Sequence, residues 1–418
     1  MKNNKVLHIA EAAYGGGAES VFRDTILYLK KYNGGYTHLV ACKKESNDEI
    51  VVDLPFEVTN NHKGIKALLL SIYSRRNFAI LRDYLVKVKP DIIHLQNYGN
   101  LSPAVLHAIS KYKQKYGAKV IHTVHTYEYA CSHYAAYDYR KDKRCLDCQH
   151  SEFKYKIFYR GCSRKGWMHS WGKGVAALIA DFFYNKNLVD EWITPSRFLY
   201  DVMVGRFGKP EKVHVVRNPV NKKLLENLSV SNGPVKENLI VYFGRVSEEK
   251  NVKLLLQSFA LLLKDEGNAD LKLKIIGDGD DKASLEAFAA TTIPVQNIEF
   301  CPFLPVSALK AAIEKSKIAV LPSKCFETAS LFVVEAVLAG VYPIVANHGA
   351  MSEMIGYLGC GTTFESESEI DLCRKMQYAL CHAGDYINGL KQAASLIVND
   401  MAGQQYANSI NNIYISES

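Results

Sequence analysis

Two successive runs of alternating strand-like and helix-like segments constrain this chain more than any other feature. The first run contains KVLHIAEA, YTHLVACK, DIIHLQN, KVIHTVH and EWITPS, with helical stretches between most of them. One such stretch, AESVFRDTILYLKKY, follows the glycines of YGGG and places Phe22, Ile26 and Leu29 on a single helical face. A polar stretch, LENLSVSNGPVKENL (225–239), reads as a loop, and after it the alternation restarts. The second run is LIVYFGR, VKLLLQSFALLLKDE, LKLKIIGDGD, NIEFCPFL, KIAVLPS and YPIVANH. Such alternation predicts an α/β chain with two doubly wound, Rossmann-like domains built on parallel sheets. Ligands in such sheets bind beyond the carboxyl ends of the strands, so the expected site is a cleft faced by both domains.

The 418 residues suffice for two or three domains, and 48% hydrophobic with 22% charged residues is ordinary for a folded core. The first residues, MKNNKVLHIAEAAYGGG, hold a short apolar run that Glu11 interrupts. They read as a first strand rather than a signal peptide. No apolar run approaches the roughly 18 residues that a membrane helix requires. The ten cysteines form no obvious secreted framework, so a reducing cytoplasm is the expectation, with the protein soluble or peripheral on the inner face of the membrane. Charge is uneven: residues 1–210 hold 32 Lys+Arg against 19 Asp+Glu, and the remainder 19 against 24. A basic half suits anionic lipid or a phosphorylated substrate. No nucleic-acid-binding signature accompanies it, so no nucleic-acid partner is expected.

The second run carries most of the chemistry. KCFETASLFVVEAVLAGVYPIVA (324–346) is an apolar stretch holding Glu327 and Glu335, eight residues apart. Buried carboxylates are costly unless paired, so both ask for partners. Upstream stand Gly244-Arg245 and Lys250 in YFGRVSEEKN, then IIGDGD with Gly277 and Gly279, then LPS, with Glu353 closing the series. Arg245 and Lys250 follow a strand closely enough to meet one diphosphate, or else are two solvated cations beside Glu248 and Glu249.

In this order and spacing the series resembles the retaining glycosyltransferases of family 4, with the two-domain GT-B fold, over nearly the whole chain and most specifically over 240–355. The resemblance implies an N-terminal acceptor-side domain over 1–208 with a cysteine-containing insertion at about 127–175. It implies a nucleotide-sugar domain over 209–392 and a C-terminal helix within 393–418 packing back on the first domain. It implies transfer of a sugar from a UDP or GDP sugar to a hydroxyl acceptor, such as a lipid-linked oligosaccharide of an O-antigen or capsule. The site residues carried over are Arg245 and Lys250 on the diphosphate and Glu335, expected to begin a helix, on the ribose hydroxyls. Glu327 is carried to the donor sugar, with Ser330 and Leu331 at the same loop and Gly277 and Gly279 in its turn. If all helical, the eight residues between the glutamates span roughly 12 Å, the scale of a sugar-to-ribose separation. The family's Gly-aromatic-Gly run after the first glutamate is replaced here by Thr328-Ala329-Ser330, so contacts to the donor sugar differ.

In the first half, Gly15, Gly16 and Gly17 let backbone approach a phosphate or sugar but do not form the dinucleotide fingerprint. A nicotinamide cofactor is therefore not expected. His125 in HTVHTYEY aligns with the family's active-site histidine, and His122 upstream is expected to share its face. No DxD-type metal motif is evident, so no catalytic cofactor is expected, since the leaving phosphate itself can take the acceptor's proton. Cys131, Cys145, Cys148 and Cys162 form C-x13-C-x2-C-x13-C, compatible with a structural zinc or with plain thiols. Two basic, apolar stretches, 62–89 and 153–174, are either ordinary helices with solvated lysines or a membrane-facing surface. The alternatives to a transferase are a nucleotide-sugar-binding module without turnover and a GT-B epimerase or phosphorylase. Neither the extra acid/base residues of the former enzyme nor a phosphate site for the latter is evident.

Overall fold

The computed structural model describes residues 4–44, 49–58, 61–225 and 236–416. The chain forms two compact units, Met1–Pro219 with Met401–Ser418, and Val220–Asp400. Most of the polar stretch read as a loop, 226–235, lies outside the described residues.

The first unit contains strands β1 (Asn4–Ile9), β2 (Tyr36–Lys43), β3 (Leu54–Phe56), β4 (Ile92–Leu95), β5 (Lys119–Thr123), β6 (Tyr137–Asp138), β7 (Lys143–Arg144), β8 (Glu191–Thr194) and β9 (Val213–Val215). Seven of them form one parallel sheet ordered β3-β2-β1-β4-β5-β8-β9, while β6 and β7 pair as a separate antiparallel ribbon. The chain leaves β1 to one side through β2 and returns to the other through β4, with Val6 opposite Ile92. That reversal opens a crevice at the carboxyl ends of β1 and β4. Leu7, Ile93, Val120 and Ile193 are almost wholly buried along these strands. Each such side chain contributes roughly 1.5–3 kcal/mol by leaving water.

The second unit holds β10 (Leu239–Phe243), β11 (Lys272–Ile276), β12 (Ile298–Cys301), β13 (Ile318–Leu321), β14 (Tyr342–Ala346) and β15 (Thr362–Phe364). They form a parallel sheet ordered β12-β11-β10-β13-β14-β15, with its reversal between β10 and β13. The apolar runs IVYF and IAVL are its centre, buried on both faces as a parallel sheet demands.

The boundaries differ from those expected from sequence. The first unit continues past 208 because β9 pairs with β8, Trp192 standing opposite Val213. The second continues past 392 because helix Ile387–Met401 spans that position. Only helix Gly403–Ile415 joins the first unit. It packs on helix Gly17–Tyr32, where Thr25 Oγ1 and the Tyr406 hydroxyl stand 2.7 Å apart. Its end reaches the sheet: the Tyr414 hydroxyl meets His94 Nδ1 at 2.7 Å, and Lys119 Nζ donates to the Ile413 carbonyl at 2.7 Å. The insertion contains the β6–β7 ribbon, the short helix Ile157–Arg160 and the start of the long helix Gly166–Asn185. The buried Lys154 ammonium pairs with Asp181 of that helix and so anchors the insertion to the unit.

Candidate functional site

Four loops leave the two sheets at their reversal points, and those after β1, β10 and β13 carry residues singled out from sequence. In the second unit the loop after β10 holds Gly244, Arg245 and Lys250, and the loop after β13 holds Ser323 to Ser330. Lys250 Nζ lies 2.5 Å from Glu327 Oε1, and Ser323 Oγ donates to the same oxygen at 2.9 Å. Burial alone would push the Glu327 carboxyl up, but the Lys250 ammonium, the Ser323 hydroxyl and Arg245 hold it below the usual carboxylate range. For Lys250 burial would lower the ammonium, and Glu327 raises it above its ordinary value. Glu327 is thus an ionised carboxylate in a largely enclosed place, with its counter-ion 77 residues away in sequence.

Arg245 is 68% exposed and reaches Glu249 Oε1 only at 3.9 Å. Its backbone is held more firmly, since the Tyr242 hydroxyl donates to the Arg245 carbonyl at 2.6 Å. Glu249, buried, accepts from Ser247 Oγ at 2.8 Å. Its backbone carbonyl accepts from the Lys324 amide at 2.8 Å and from Ser323 Oγ at 3.2 Å. The loops after β10 and β13 are therefore tied together beneath the Lys250–Glu327 pair.

Gly277 and Gly279 have a packing reason to be glycine. The Gly244 amide donates to the Ile276 carbonyl at 2.9 Å, and the Val246 amide donates to the Asp278 carbonyl at 2.9 Å. A Cβ on Gly277 would fall 1.8 Å from the Gly244 oxygen, and one on Gly279 would fall 1.9 Å from the Val246 oxygen. The GxG turn thus positions the Arg245 loop by backbone contact.

Glu335 does not begin a helix. Helix Leu331–Leu338 starts after Ser330, so Glu335 lies one turn inside and the segment from Glu327 to Ser330 is not helical. The estimate of a wholly helical spacing between the glutamates therefore fails. Burial pushes the Glu335 carboxyl up to about 7. Ser330 is buried as the residue before the helix, and among the described residues its Oγ has no hydrogen-bond partner. Leu331 is the first residue of that helix. Phe332, next along it, stacks on Phe243 at 4.2 Å and seats the helix against β10.

In the first unit the loop after β1 carries Gly15, Gly16 and Gly17 into helix Gly17–Tyr32. Gly15 has φ 145°, which a side chain rarely adopts, and the Gly16 amide donates to Glu19 Oε2 at 2.9 Å. The helix thus supplies its own anion at its first turn. The loop after β4 places Asn100 against Glu11 and Gln96 against the histidines. His125 lies just beyond β5, with Nε2 2.8 Å from Gln96 Oε1, and burial lowers its imidazole to about 4. His125 is therefore neutral at pH 7, with its Nε2 proton directed at the amide oxygen. His122 does not share its face through strand periodicity, because the two are three residues apart and β5 ends at Thr123. Instead His122 Nε2 meets the Gln96 carbonyl at 3.0 Å and the Tyr129 hydroxyl meets Nδ1 at 2.7 Å.

The four insertion cysteines, with His133, line one cavity of about 20 Å³. Burial would raise the Cys131 thiol and lower the His133 imidazole. Their mutual contact overrides it, bringing Cys131 to about 7 and His133 well above its ordinary value. Among the described residues, no group of three or more His, Cys, Asp or Glu side chains is arranged to hold a metal ion. His133 is hydrogen-bonded to both Cys131 and Cys162.

Ser323, Gln96, Glu249 and His133 were not singled out from sequence. Only Ser323 had a signal, as the last residue of LPS; the others become visible through contacts far along the chain.

The comparisons with known proteins agree with this architecture. Residues 226–392 match the sequence profile of the glycosyl transferases group 1, and residues 15–224 match that of glycosyltransferase family 4. An uncharacterized 42.6 kDa protein in the cps region of Klebsiella pneumoniae is 26% identical over 295 residues, which is 68% of this chain and 65% of that protein. Among solved structures, the lipopolysaccharide outer core galactosyltransferase WaaB aligns with TM-score 0.63 at 16% identity, over 98% of this chain and 99% of that one. Anabaena Alr3699/HepE in complex with UDP aligns with TM-score 0.66 at 14% identity, over 98% and 99%. Two parallel sheets in two units, together with these neighbours, make the fold α/β of the GT-B class. The chain belongs to glycosyltransferase family 4.

Proposed function

We propose that the protein transfers a sugar from a nucleoside-diphosphate sugar to a hydroxyl acceptor, with retention at the anomeric carbon and without a catalytic metal. The single observation that carries this reading is the Lys250–Glu327 pair at 2.5 Å beside Arg245, on loops at the sheet reversal. The pair is close to neutral, so the exposed Arg245 guanidinium supplies the cation that a diphosphate needs, bidentately. Lys250 retains further N–H donors for a phosphate oxygen while holding Glu327 ionised and oriented. Glu327 then accepts from donor-sugar hydroxyls, and Glu335 does so from the ribose.

In the transfer, the acceptor oxygen bonds to the anomeric carbon as the bond from that carbon to the diphosphate oxygen breaks. The acceptor's proton passes to the leaving diphosphate oxygen. The protein's part is to position the reactants and to stabilise the charge that develops on the leaving group. The neutral His125, oriented by Gln96, is assigned to the donor sugar as a hydrogen-bonding group rather than as a base. UDP is the favoured donor diphosphate, supported by the Anabaena neighbour's complex with it. A lipid-linked saccharide of a surface polysaccharide is the favoured acceptor, supported by the cps-region relative and the lipopolysaccharide galactosyltransferase neighbour.

Thermal shift with UDP, GDP and NAD, together with donor hydrolysis, tests the reading. UDP should raise the melting temperature by mass action and NAD should not. Glu327→Ala should slow hydrolysis by about 100-fold, the scale of losing one aligned polar group. EDTA should leave hydrolysis unchanged. Undiminished turnover in Glu327→Ala, or stabilisation by NAD alone, would sink the proposal.

A further inference from the structure

Helices Gly64–Ile72, Ile157–Arg160 and Gly166–Asn185 lie together on the first unit, and they display apolar side chains that a water-facing surface does not need. Trp167, Met168 and Trp171 project from the first turns of the long helix, with Met168 68% and Trp171 55% exposed. Tyr155 and Tyr159, also exposed, come from the segment just before it. On the neighbouring helix Ile65 and Leu69, four residues apart and therefore on one face, are 67% and 60% exposed. The two helices touch directly, because a Cβ on Gly172 would fall 2.0 Å from Leu68 Cδ1. The protruding groups of both helices thus belong to one surface.

That surface is mounted rigidly. Phe158 meets Trp171 edge to face at 4.9 Å, and a Cβ on Gly161 would lie 2.8 Å from the Trp167 ring. The buried Lys154–Asp181 pair holds the base of the insertion. Its charge is predominantly basic, with Asp147, half-exposed, pairing with Arg160 of the short helix at 2.5 Å. No Asp or Glu occurs from 153 to 180 or from 61 to 82, while Lys63, Lys66, Arg164 and Lys165 are exposed there. Exposed contiguous apolar patches mark interaction sites. The cores of protein interfaces are depleted of lysine. Trp and Tyr interleaved with an excess of Lys and Arg match the headgroup region of an anionic bilayer. Among the described residues no helix is long and apolar enough to cross a membrane, so the contact would be peripheral.

We propose that this three-helix surface docks the first unit on an anionic lipid bilayer, Trp167, Met168 and Trp171 entering the headgroup boundary and Lys63, Lys66, Arg164 and Lys165 meeting lipid phosphates. Its purpose rests on the lipid-linked acceptor reading, but the docking itself is measured without turnover. Flotation of the full chain with phosphatidylcholine vesicles, with and without phosphatidylglycerol, tests it. Binding should require the anionic lipid and weaken from about 0.1 M to about 1 M salt, as the screening length shortens. Lys66→Glu with Lys165→Glu, two changes at exposed positions, should lower vesicle affinity by about tenfold or more. Trp167→Ser with Met168→Ser and Trp171→Ser should do the same. The melting temperature and UDP response of the charge variant should stay unchanged, which separates lost docking from lost folding. Equal vesicle binding by the wild type and both variants would overturn the proposal. So would failure of the wild type to bind at all, or self-association that the tryptophan changes abolish without any vesicle binding.

Discussion

Gly277 has φ 148° and stands where a Cβ would fall 1.8 Å from the Gly244 carbonyl oxygen. Backbone cannot yield as a flexible side chain does. Gly277→Ala should therefore destabilise the second unit by about 3 kcal/mol or more and weaken UDP binding with it, as read by thermal melts with and without UDP. Glu335 makes a different prediction. Burial raises its carboxyl from 4.5 to about 7, so the folded state holds a proton that the unfolded chain has released between those pH values. Stability of the second unit should fall as pH rises from about 4.5 to 7 and then level off. Glu335→Gln should remove that slope, so its stabilising effect relative to wild type should grow across the same window in denaturant titrations. A flat difference between the two proteins would refute the assignment.

Among elements, the last helix is the one whose place matters most. Helix Gly403–Ile415 follows the second unit in sequence but buries Tyr406, Ile410 and Tyr414 in the first. Tyr414→Phe removes only the hydroxyl that meets His94 and should cost about 1–2 kcal/mol, the penalty for a buried polar group left without its partner. Tyr414→Ala also opens a cavity and should cost about 3–5 kcal/mol. Both losses should appear in the melting of the first unit. The three tryptophans, Trp167, Trp171 and Trp192, all belong to that unit, so intrinsic fluorescence reads it alone.

At the scale of the whole molecule, pH should move the two units in opposite directions. Burial holds His8 well below its ordinary value and brings His38 and His125 to about 4 and His94 to about 3. All four belong to the first unit. The unfolded chain binds protons at these positions near 6.5 and the folded chain does not, so the stability contributed by these four neutral histidines is fully present above about 6.5. It should fall as pH drops from there through about 4, while Glu335 favours the second unit over much of the same range. Tryptophan fluorescence should therefore lose its folded signal before far-ultraviolet circular dichroism does in a titration from pH 7 to about 4. Coincident transitions would count against independent units.

Sequence alone determined the sheet centres of the second unit, because a strand covered on both faces must be apolar at every position, and IVYF and IAVL read so. It also made Glu327 and Glu335 conspicuous as charges in an apolar run, while Arg245 and Lys250 were marked by the order and spacing of the motifs that resemble the family. The three-residue strands β3, β9 and β15 escaped, being too short to show a period and formed only by neighbours that offer them a ladder. The same holds for partnerships. That Lys250 would meet Glu327, that Gln96 would orient His125, and that Gly277 would press on Gly244 were decided by the tertiary structure. Each joins residues from different strand ends, and only the parallel order of the sheets brings those ends together.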